Sequence, residues 1–390
     1  MNNLCLDTGY VSLNKVGEQL CGDRVELIGQ HEDELTMVLA DGLGSGVKAN
    51  ILSTLTSKIL CTMIASEMSI EDCVETMAET LPVCSKRGVA YSTFTIVHTH
   101  NCTDARIIQY DNPQLILLRD GKHYDYPYTS RVIAGKTILE SALQLQKDDV
   151  LVMMSDGAIY AGVGNALNFG WQRDNIIEFL EQFYSSDLSA KMIATILSDE
   201  CDRLYGDRPG DDTTIGVLKV RNRETVNLII GPPRNPADCD RMMTQFFSQE
   251  GKHVVCGGTT SHIAGEFLGE PVVPQIDYID PEIPPIAKIK GVDLCTEGVI
   301  TISKVLEYAK NFLGNNEDYP IWSTKKDGAS RICRVLFESA TDVNFFVGKA
   351  INPAHQNPDL PIGFSIKLRL IEELCQCLEK MGKQVKVSYF

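Results

Sequence analysis

No stretch of the 390 residues approaches ~20 uninterrupted apolar residues, so nothing in the sequence is expected to span a bilayer. The opening MNNLCLDTGY lacks the basic segment and apolar core of a secretory signal. Cysteine is plentiful at thirteen, but paired spacing is missing: no CxxC occurs, and only Cys375 and Cys377 lie close together. An odd count of scattered cysteines, many inside apolar runs, argues against a disulfide framework or a cysteine zinc site. It suits reduced thiols in a cytoplasmic protein. Basic runs are also missing. The net charge is −16, with 17 Lys+Arg against 31 Asp+Glu in residues 1–220 and 19 against 21 in residues 221–390. A nucleic-acid partner would need a basic face, so none is expected, and the acidic half is either a solvated surface or a source of cation ligands.

What is present is an ordinary globular composition, 44% hydrophobic and 23% charged, at a length that suggests two or three domains. Strands are predicted at 24–29, 35–40, 91–98, 105–110, 114–119, 149–154 and 214–220. The runs Leu35–Ala40 and Val150–Met154 are nearly continuous in apolar residues, as in strands buried on both faces. Helices are predicted over 46–65, 70–81, 174–184 and 188–205. In the first of them Val47, Ile51, Leu55, Ile59 and Met63 recur every fourth residue, which predicts an amphipathic helix with that stripe inward. Strands, two helices, strands, two helices and a last strand make an α+β sandwich.

After Val220 the pattern changes, with Arg221-Asn222-Arg223-Glu224 as a charged break. The reading is a first domain over 1–222 and a second, smaller α/β domain over 223–390. The second has predicted strands at 226–230, 253–256, 333–337, 343–348 and 384–389, and helices at 237–249, after 257, at 298–313 and at 362–381. The proline-dense stretch 271–285 reads as a connection without regular structure.

Three segments of the first domain place aspartate at the end of an apolar strand: Ala40-Asp41-Gly42-Leu43-Gly44-Ser45-Gly46, Met154-Ser155-Asp156-Gly157 and Gly210-Asp211-Asp212-Thr213-Thr214. Rigid strand backbone fixes a carboxylate there, and a following glycine brings its carbonyl close to whatever the carboxylate holds. Oxygen ligands of this kind suit Mg²⁺ or Mn²⁺. Any one Asp-Gly is also ordinary turn chemistry.

In order and spacing these segments, with Gly22-Asp23 before them and Lys48-Ala49 after the first, resemble the metal-dependent PPM-type protein phosphatases, most closely the bacterial SpoIIE-like branch. The resemblance covers about residues 4–220 and implies a PPM-type β-sandwich flanked by helix pairs. It also implies a site for two divalent ions, Mn²⁺ or Mg²⁺. Asp41 would bridge them, the Gly42 carbonyl would bind one, Asp156 and Asp211 would hold the other, and Asp23 would reach a metal directly or through water. Asp212, Gly44, Gly46 and Gly157 would support the site. Two such ions lower the pKa of a shared water and clamp phosphoryl oxygens, so no side-chain nucleophile is required. The implied substrate is a phosphorylated protein, with a small regulator of the anti-sigma-factor-antagonist kind suggested by analogy. Asp111-Asn112-Pro113-Gln114 departs from the family's usual turn and is expected to alter a surface turn only. The run Ala158 to Gly164 lacks the acidic residue frequent after this Asp-Gly. Arg24 is the candidate for a phosphate-binding arginine.

Other features have plain readings beside sharper ones. His98 and His100 share one side of a strand, either as ligands or as a polar strand end. Cys375 and Cys377 pack in an apolar helix. The Gly42-x-Gly44-x-Gly46 loop lacks the spacing of a nucleotide cradle. Gly257-Gly258-Thr259-Thr260 at a helix start and Gly231 to Pro236 are either two αβ turns or the edge of a small-anion pocket. The expected activity is hydrolysis of phosphoserine or phosphothreonine. The alternative is a phosphatase-fold scaffold or sensor acting through a ligand- or partner-binding C-terminal domain.

Overall fold

The computed structural model describes residues 3–31, 33–80, 92–275, 283–314, 316, 318–350 and 366–390. The chain divides into two compact units, Met1–Asn222 and Arg223–Phe390. In the first, β1 (Leu4–Leu13), β2 (Asp23–His31) and β3 (Glu34–Gly42) lead into α1 (Gly46–Ala65) and α2 (Ile70–Thr80). Next come β4 (Ser92–His100), β5 (Asp104–Tyr110), β6 (Ile116–Arg119) and β7 (Lys122–His123). They are followed by β8 (Thr129–Ile133), β9 (Lys136–Gln144) and β10 (Val150–Met154). A short α3 (Asp156–Ile159), then α4 (Arg173–Phe183) and α5 (Ala190–Tyr205), precede β11 (Thr213–Asn222).

Among the described residues these strands form two antiparallel sheets, ordered β1-β11-β10-β6-β7 and β2-β3-β4-β5-β9-β8. Met37, Leu39 and Val97 of one sheet meet Leu151, Met153 and Leu218 of the other in the central core. The outer face of the six-stranded sheet buries Val38, Phe94 and Ile96 under Leu60, Ile64 and Val74 of α1 and α2. On the five-stranded sheet, Val150, Val152 and Val217 lie under Ile176, Leu180, Ile193 and Leu197 of α4 and α5. Helices therefore cover both outer faces, which is why β3 and β10 are apolar on both sides although their sheets are antiparallel. Each such side chain contributes about 1.5–3 kcal/mol on burial.

The predicted stripe on α1 turns inward only in its second half, where Ile59 and Met63 are half-buried against the core. Val47, Ile51 and Leu55 are exposed, and the buried face is Ala49, Ser53, Thr56, Ser57, Leu60 and Cys61. The reason is close approach: a Cβ on Gly42 would lie 2.1 Å from the Ala49 carbonyl oxygen, so only small residues fit beneath the first turns of α1. Larger apolar residues return to the core at Leu60 and Ile64.

The second unit begins with β12 (Thr225–Ile230), α6 (Cys239–Phe247), β13 (Lys252–Cys256) and α7 (Gly258–Leu268). A hairpin, β14 (Val273–Pro274) with β15 (Ala287–Lys288), leads to β16 (Leu294–Thr296) and α8 (Val299–Leu313). Then follow α9 (Tyr319–Thr324), α10 (Gly328–Cys333), β17 (Asp342–Val347), α11 (Ile366–Lys380) and β18 (Gln384–Tyr389). The strands β16-β13-β12-β17-β18 run parallel in the chain order 3-2-1-4-5 of a doubly wound sheet.

Two expectations for this unit fail. The predicted strand at 333–337 is helical: α10 ends at Cys333 and a π-helical turn, Arg334–Ser339, continues it. Its β-branched and aromatic residues are there to bury Leu336 and Phe337 beside Trp322, and packing overrides local strand propensity. Within the proline-dense stretch, Val273–Pro274 forms a short edge strand, a place where a missing N–H costs nothing. Leu81, Tyr91, 276–282 and 362–365, which fall in predicted segments, lie outside the described residues.

Candidate active site

Asp23 opens β2 and Asp41 lies near the end of β3, and the two stand directly opposite in the antiparallel register. Both sit on the face that carries Val25, Met37 and Leu39 into the central core, because alternate residues of a strand share a face. Gly42 N–H donates to the Gly22 carbonyl at 3.2 Å, and Asn50 of α1 donates its amide to the Cys21 carbonyl at 2.8 Å. The Gly22-Asp23 corner is thus tied to both the following loop and the helix. Gly44 and Gly46 take φ of +104° and +67°, so the loop between β3 and α1 turns through conformations that favour glycine. A side chain on Gly46 would collide with Glu18, whose carboxylate accepts from the Ser45 hydroxyl at 3.0 Å.

Asp156 and Asp211 arrive from the other sheet, where Met154 of β10 faces Ile215 of β11. Ser155 locks the two together: its N–H donates to the Thr214 carbonyl at 3.0 Å and its hydroxyl accepts from Thr214 N–H at 2.9 Å. Gly157 passes so close to Asp212 that a Cβ there would lie 2.2 Å from the Asp212 carbonyl oxygen. Asp212 accepts from Lys15 N–H at 3.0 Å through one oxygen, while its other oxygen is buried beside Gly22 without a partner.

The electrostatics show a deficit of positive charge. Asp23 is buried, and neither carboxylate oxygen has a hydrogen-bond partner. The nearby Ser155 and Thr214 hydroxyls soften this only in part. Burial, then the charges of Asp23, Asp156 and Asp211, hold the Asp41 carboxyl well above the usual carboxylate range. Asp156 is raised by burial and by Asp211, and Asp23 by burial, with smaller contributions from Asp212 and Asp156. Among the described residues Lys15 is the one cation ion-paired with any of these aspartates, 3.4 Å from Asp211 and half exposed. All side-chain donors are carboxylate oxygens, and buried carboxylates without partners are what divalent ions of the Mg²⁺ or Mn²⁺ type satisfy. The residues fit such ions.

Several residues at this site carry no sequence signal. Lys15, Asn50 and Glu18 are unremarkable in the sequence and reach the site only through the fold. The turn at Asp111-Asn112, expected to be remote from the chemistry, is close by: Asp111 adds to the raised pKa of Asp156, and Asn112 hydrogen-bonds Thr93 and Thr95 on the strand beside β3. Arg24 lies away from the carboxylates, on the opposite face of β2 from Asp23, 3.8 Å from Glu26. His98 and His100 share one side of β4 but sit toward its far end, since Thr93 rather than His98 lies opposite Asp41. Cys375 and Cys377 are packed into the core of the second unit.

Residues 31–221 match the family model described as Stage II sporulation protein E (SpoIIE). No curated protein matches the chain. Solved structures with similarity include the phosphatase domain of SpoIIE from Bacillus subtilis, at 19% identity and TM-score 0.44, covering 57% of this chain and 95% of that one. RsbX in complex with magnesium is 19% identical with TM-score 0.40, covering 55% and 96%. The serine/threonine phosphatase of S. agalactiae is 15% identical with TM-score 0.39, covering 55% and 99%. No helix among the described residues is long and apolar enough to cross a membrane. Residues 31–221 are a SpoIIE-family domain, of the PPM-type protein phosphatases.

Proposed function

We propose that the N-terminal unit hydrolyses phosphoserine or phosphothreonine on a protein, with Mn²⁺ or Mg²⁺ held by Asp23, Asp41, the Gly42 carbonyl, Asp156 and Asp211. The observation that carries this reading is the buried Asp23 carboxylate, without a partner and directly opposite Asp41. Two divalent ions would supply a water of lowered pKa and a clamp for phosphoryl oxygens. The chain's own part is positioning. Strands β2 and β3 fix Asp23 and Asp41, the Ser155–Thr214 pair fixes Asp156 against Asp211, and the tight Gly42–Ala49 contact holds the Gly42 carbonyl in place. Asp212 and Gly157 hold the Lys15 loop and the β10–α3 turn against one another. The apolar central core beneath excludes water from one side, which strengthens every charge interaction at its rim.

For the second unit, the doubly wound sheet favours a small-ligand or partner site at the carboxyl ends of its strands, as a controlling or targeting module. The buried Thr260 hydroxyl at the start of α7 is without a partner, which agrees with a ligand there.

The test of the enzyme reading is turnover of phosphoserine and phosphothreonine peptides and of a chromogenic phosphomonoester by the full chain. Release of phosphate that requires Mn²⁺ or Mg²⁺, and that disappears in Asp41→Asn, is the expected result. Undiminished turnover after exhaustive chelation overturns the two-metal reading, and no turnover of any phosphoester with either metal favours a scaffold.

A further inference from the structure

Away from the aspartates, a second constellation has the geometry of a metal site. His98 and His100 project from one side of β4, and Glu67 approaches them from just beyond the end of α1. Their ligand atoms all lie within 4.8 Å of one another. The two Nε2 atoms are 2.9 Å apart, and Glu67 Oε1 is 3.4 Å from His98 Nε2 and 3.2 Å from His100 Nε2. A tetrahedral ion with bonds of ~2.05 Å sets its ligand atoms ~3.3 Å apart. All three distances fall close to that edge, so an ion seated between them requires only small adjustments.

The outer atoms are arranged to match. His100 Nδ1 lies 3.0 Å from the Glu34 carboxylate, which can only accept, so this nitrogen carries the proton and Nε2 keeps its lone pair. His98 Nδ1 lies 2.8 Å from the Thr36 hydroxyl, which serves as donor or acceptor. Without a cation, one proton bridges the two Nε2 atoms, His98 donating to His100, and Thr36 donates to His98. With a cation, that proton is exchanged through solvent from Nε2 to Nδ1 of His98, which becomes the other neutral tautomer, and Thr36 accepts. Histidine ligands held by a carboxylate and a hydroxyl in this way have their ring orientation set in advance. Glu67 occupies the left-handed position that ends α1, with φ of +60°. Glycine is the usual residue there, yet here a carboxylate is presented to the two rings.

We infer that Glu67, His98 and His100 form a site for a single Zn²⁺ ion, with water in the fourth position, that fastens the α1–α2 turn to the six-stranded sheet. Two imidazoles and one carboxylate favour zinc or its late-transition-metal neighbours over Mg²⁺ and Mn²⁺. The site is separate from the aspartates: Thr36 faces His98 and Asp41 faces Thr93, a separation of five residues, or ~17 Å along β3.

The test uses the full chain in excess Mg²⁺, which occupies oxygen-ligand sites, while Zn²⁺ is titrated against a chromophoric chelator. One tightly bound Zn²⁺ per chain is expected. Glu67→Gln alters an exposed side chain and leaves folding intact, and it should weaken this Zn²⁺ at least tenfold. His100→Gln, checked for native circular dichroism, should remove it. Co²⁺ added alone in the same Mg²⁺ background should give the intense visible bands of a tetrahedral centre in the wild type, absent from His100→Gln. Equal zinc stoichiometry and affinity in all three proteins, or no zinc bound by the wild type at micromolar concentration, overturns the assignment.

Discussion

Asp23 and Asp41 face each other across neighbouring strands with both Asp23 oxygens buried and unpaired. Two carboxylates in that position repel, and either a bound cation or a proton held on one of them relieves the repulsion. In the absence of divalent metal, Asp23→Asn should therefore raise the melting temperature of the N-terminal unit, by about 1–2 kcal/mol or roughly 2–8 °C. With Mn²⁺ present the order should reverse, because the wild type gains binding energy that the amide cannot supply. Activity of Asp23→Asn and Asp41→Asn should fall by roughly 10²–10³-fold or more. Thermal scans with and without Mn²⁺ decide the matter, and an Asp23→Asn that melts below the wild type in chelator contradicts it.

Lys15 gives a second, opposite handle. Its ammonium lies 3.4 Å from Asp211 and competes there with any bound cation. Both groups are partly solvated, so the pair is worth no more than about 1 kcal/mol. Lys15→Met should tighten Mn²⁺ activation by about two- to fivefold, read as the metal concentration giving half-maximal turnover. A weaker metal response in this variant would show that Lys15 instead supports the site.

Much of this was legible because the chemistry lies in contiguous motifs. Asp41-Gly42, Asp156-Gly157 and Asp211-Asp212 each end or begin an apolar run, and such runs are buried strands whatever the tertiary fold. Lys15 was invisible, and Asp111-Asn112 was read as a surface turn only, for the converse reason: they sit in loops, and only the fold brings those loops to the aspartates. The α1 stripe misled because periodicity says which residues share a face but not which face turns inward. Here the Gly42–Ala49 contact decides it by demanding small residues. The 333–337 segment misled because a short apolar run fits a buried helix as well as a strand.

The exposed first half of the α1 stripe yields a stability prediction. Ile51→Ser changes an exposed residue and should shift unfolding by less than about 0.5 kcal/mol. Leu60→Ala opens a hole in the α1–sheet core and should cost about 2–5 kcal/mol. Urea denaturation of each variant measures both, and a large loss in Ile51→Ser would mean that the stripe is covered.

The second unit should respond to pH through Glu338. Burial pushes its carboxyl up to about 7 despite Arg334 and Lys383. Its folded pKa is above the unfolded value, so the folded state holds a proton that the unfolded state has released. Stability is then highest at and below pH ~4.5 and falls as pH rises toward 7, by on the order of 2–3 kcal/mol in all. Glu338→Gln should flatten that slope and be the more stable protein at pH 8. Trp322, fully buried in this unit, reports its unfolding once the other tryptophan is removed by Trp171→Phe. Parallel slopes for the glutamate and glutamine proteins between pH 5 and 8 would exclude Glu338 as the cause.

The final prediction concerns the first unit alone. Strand β1 pairs with β11 along its whole length, from Leu13 opposite Thr213 to Leu4 opposite Asn222, so the five-stranded sheet is complete when the chain reaches residue 222. Its core clusters draw only on residues before that point. A fragment of residues 1–222 should therefore fold cooperatively, bind Mn²⁺ and hydrolyse a small chromogenic phosphoester at the rate of the full chain, within about twofold. Small phosphoesters report the chemistry, whereas phosphoprotein substrates also report recognition. If the second unit targets substrate, the fragment should keep its kcat on a phosphoprotein and lose apparent affinity, raising KM. If the second unit controls the site, kcat itself should differ between fragment and full chain. Identical kcat and KM on the same phosphoprotein would remove both roles from the second unit, and an aggregated fragment would show that the two units depend on each other to fold.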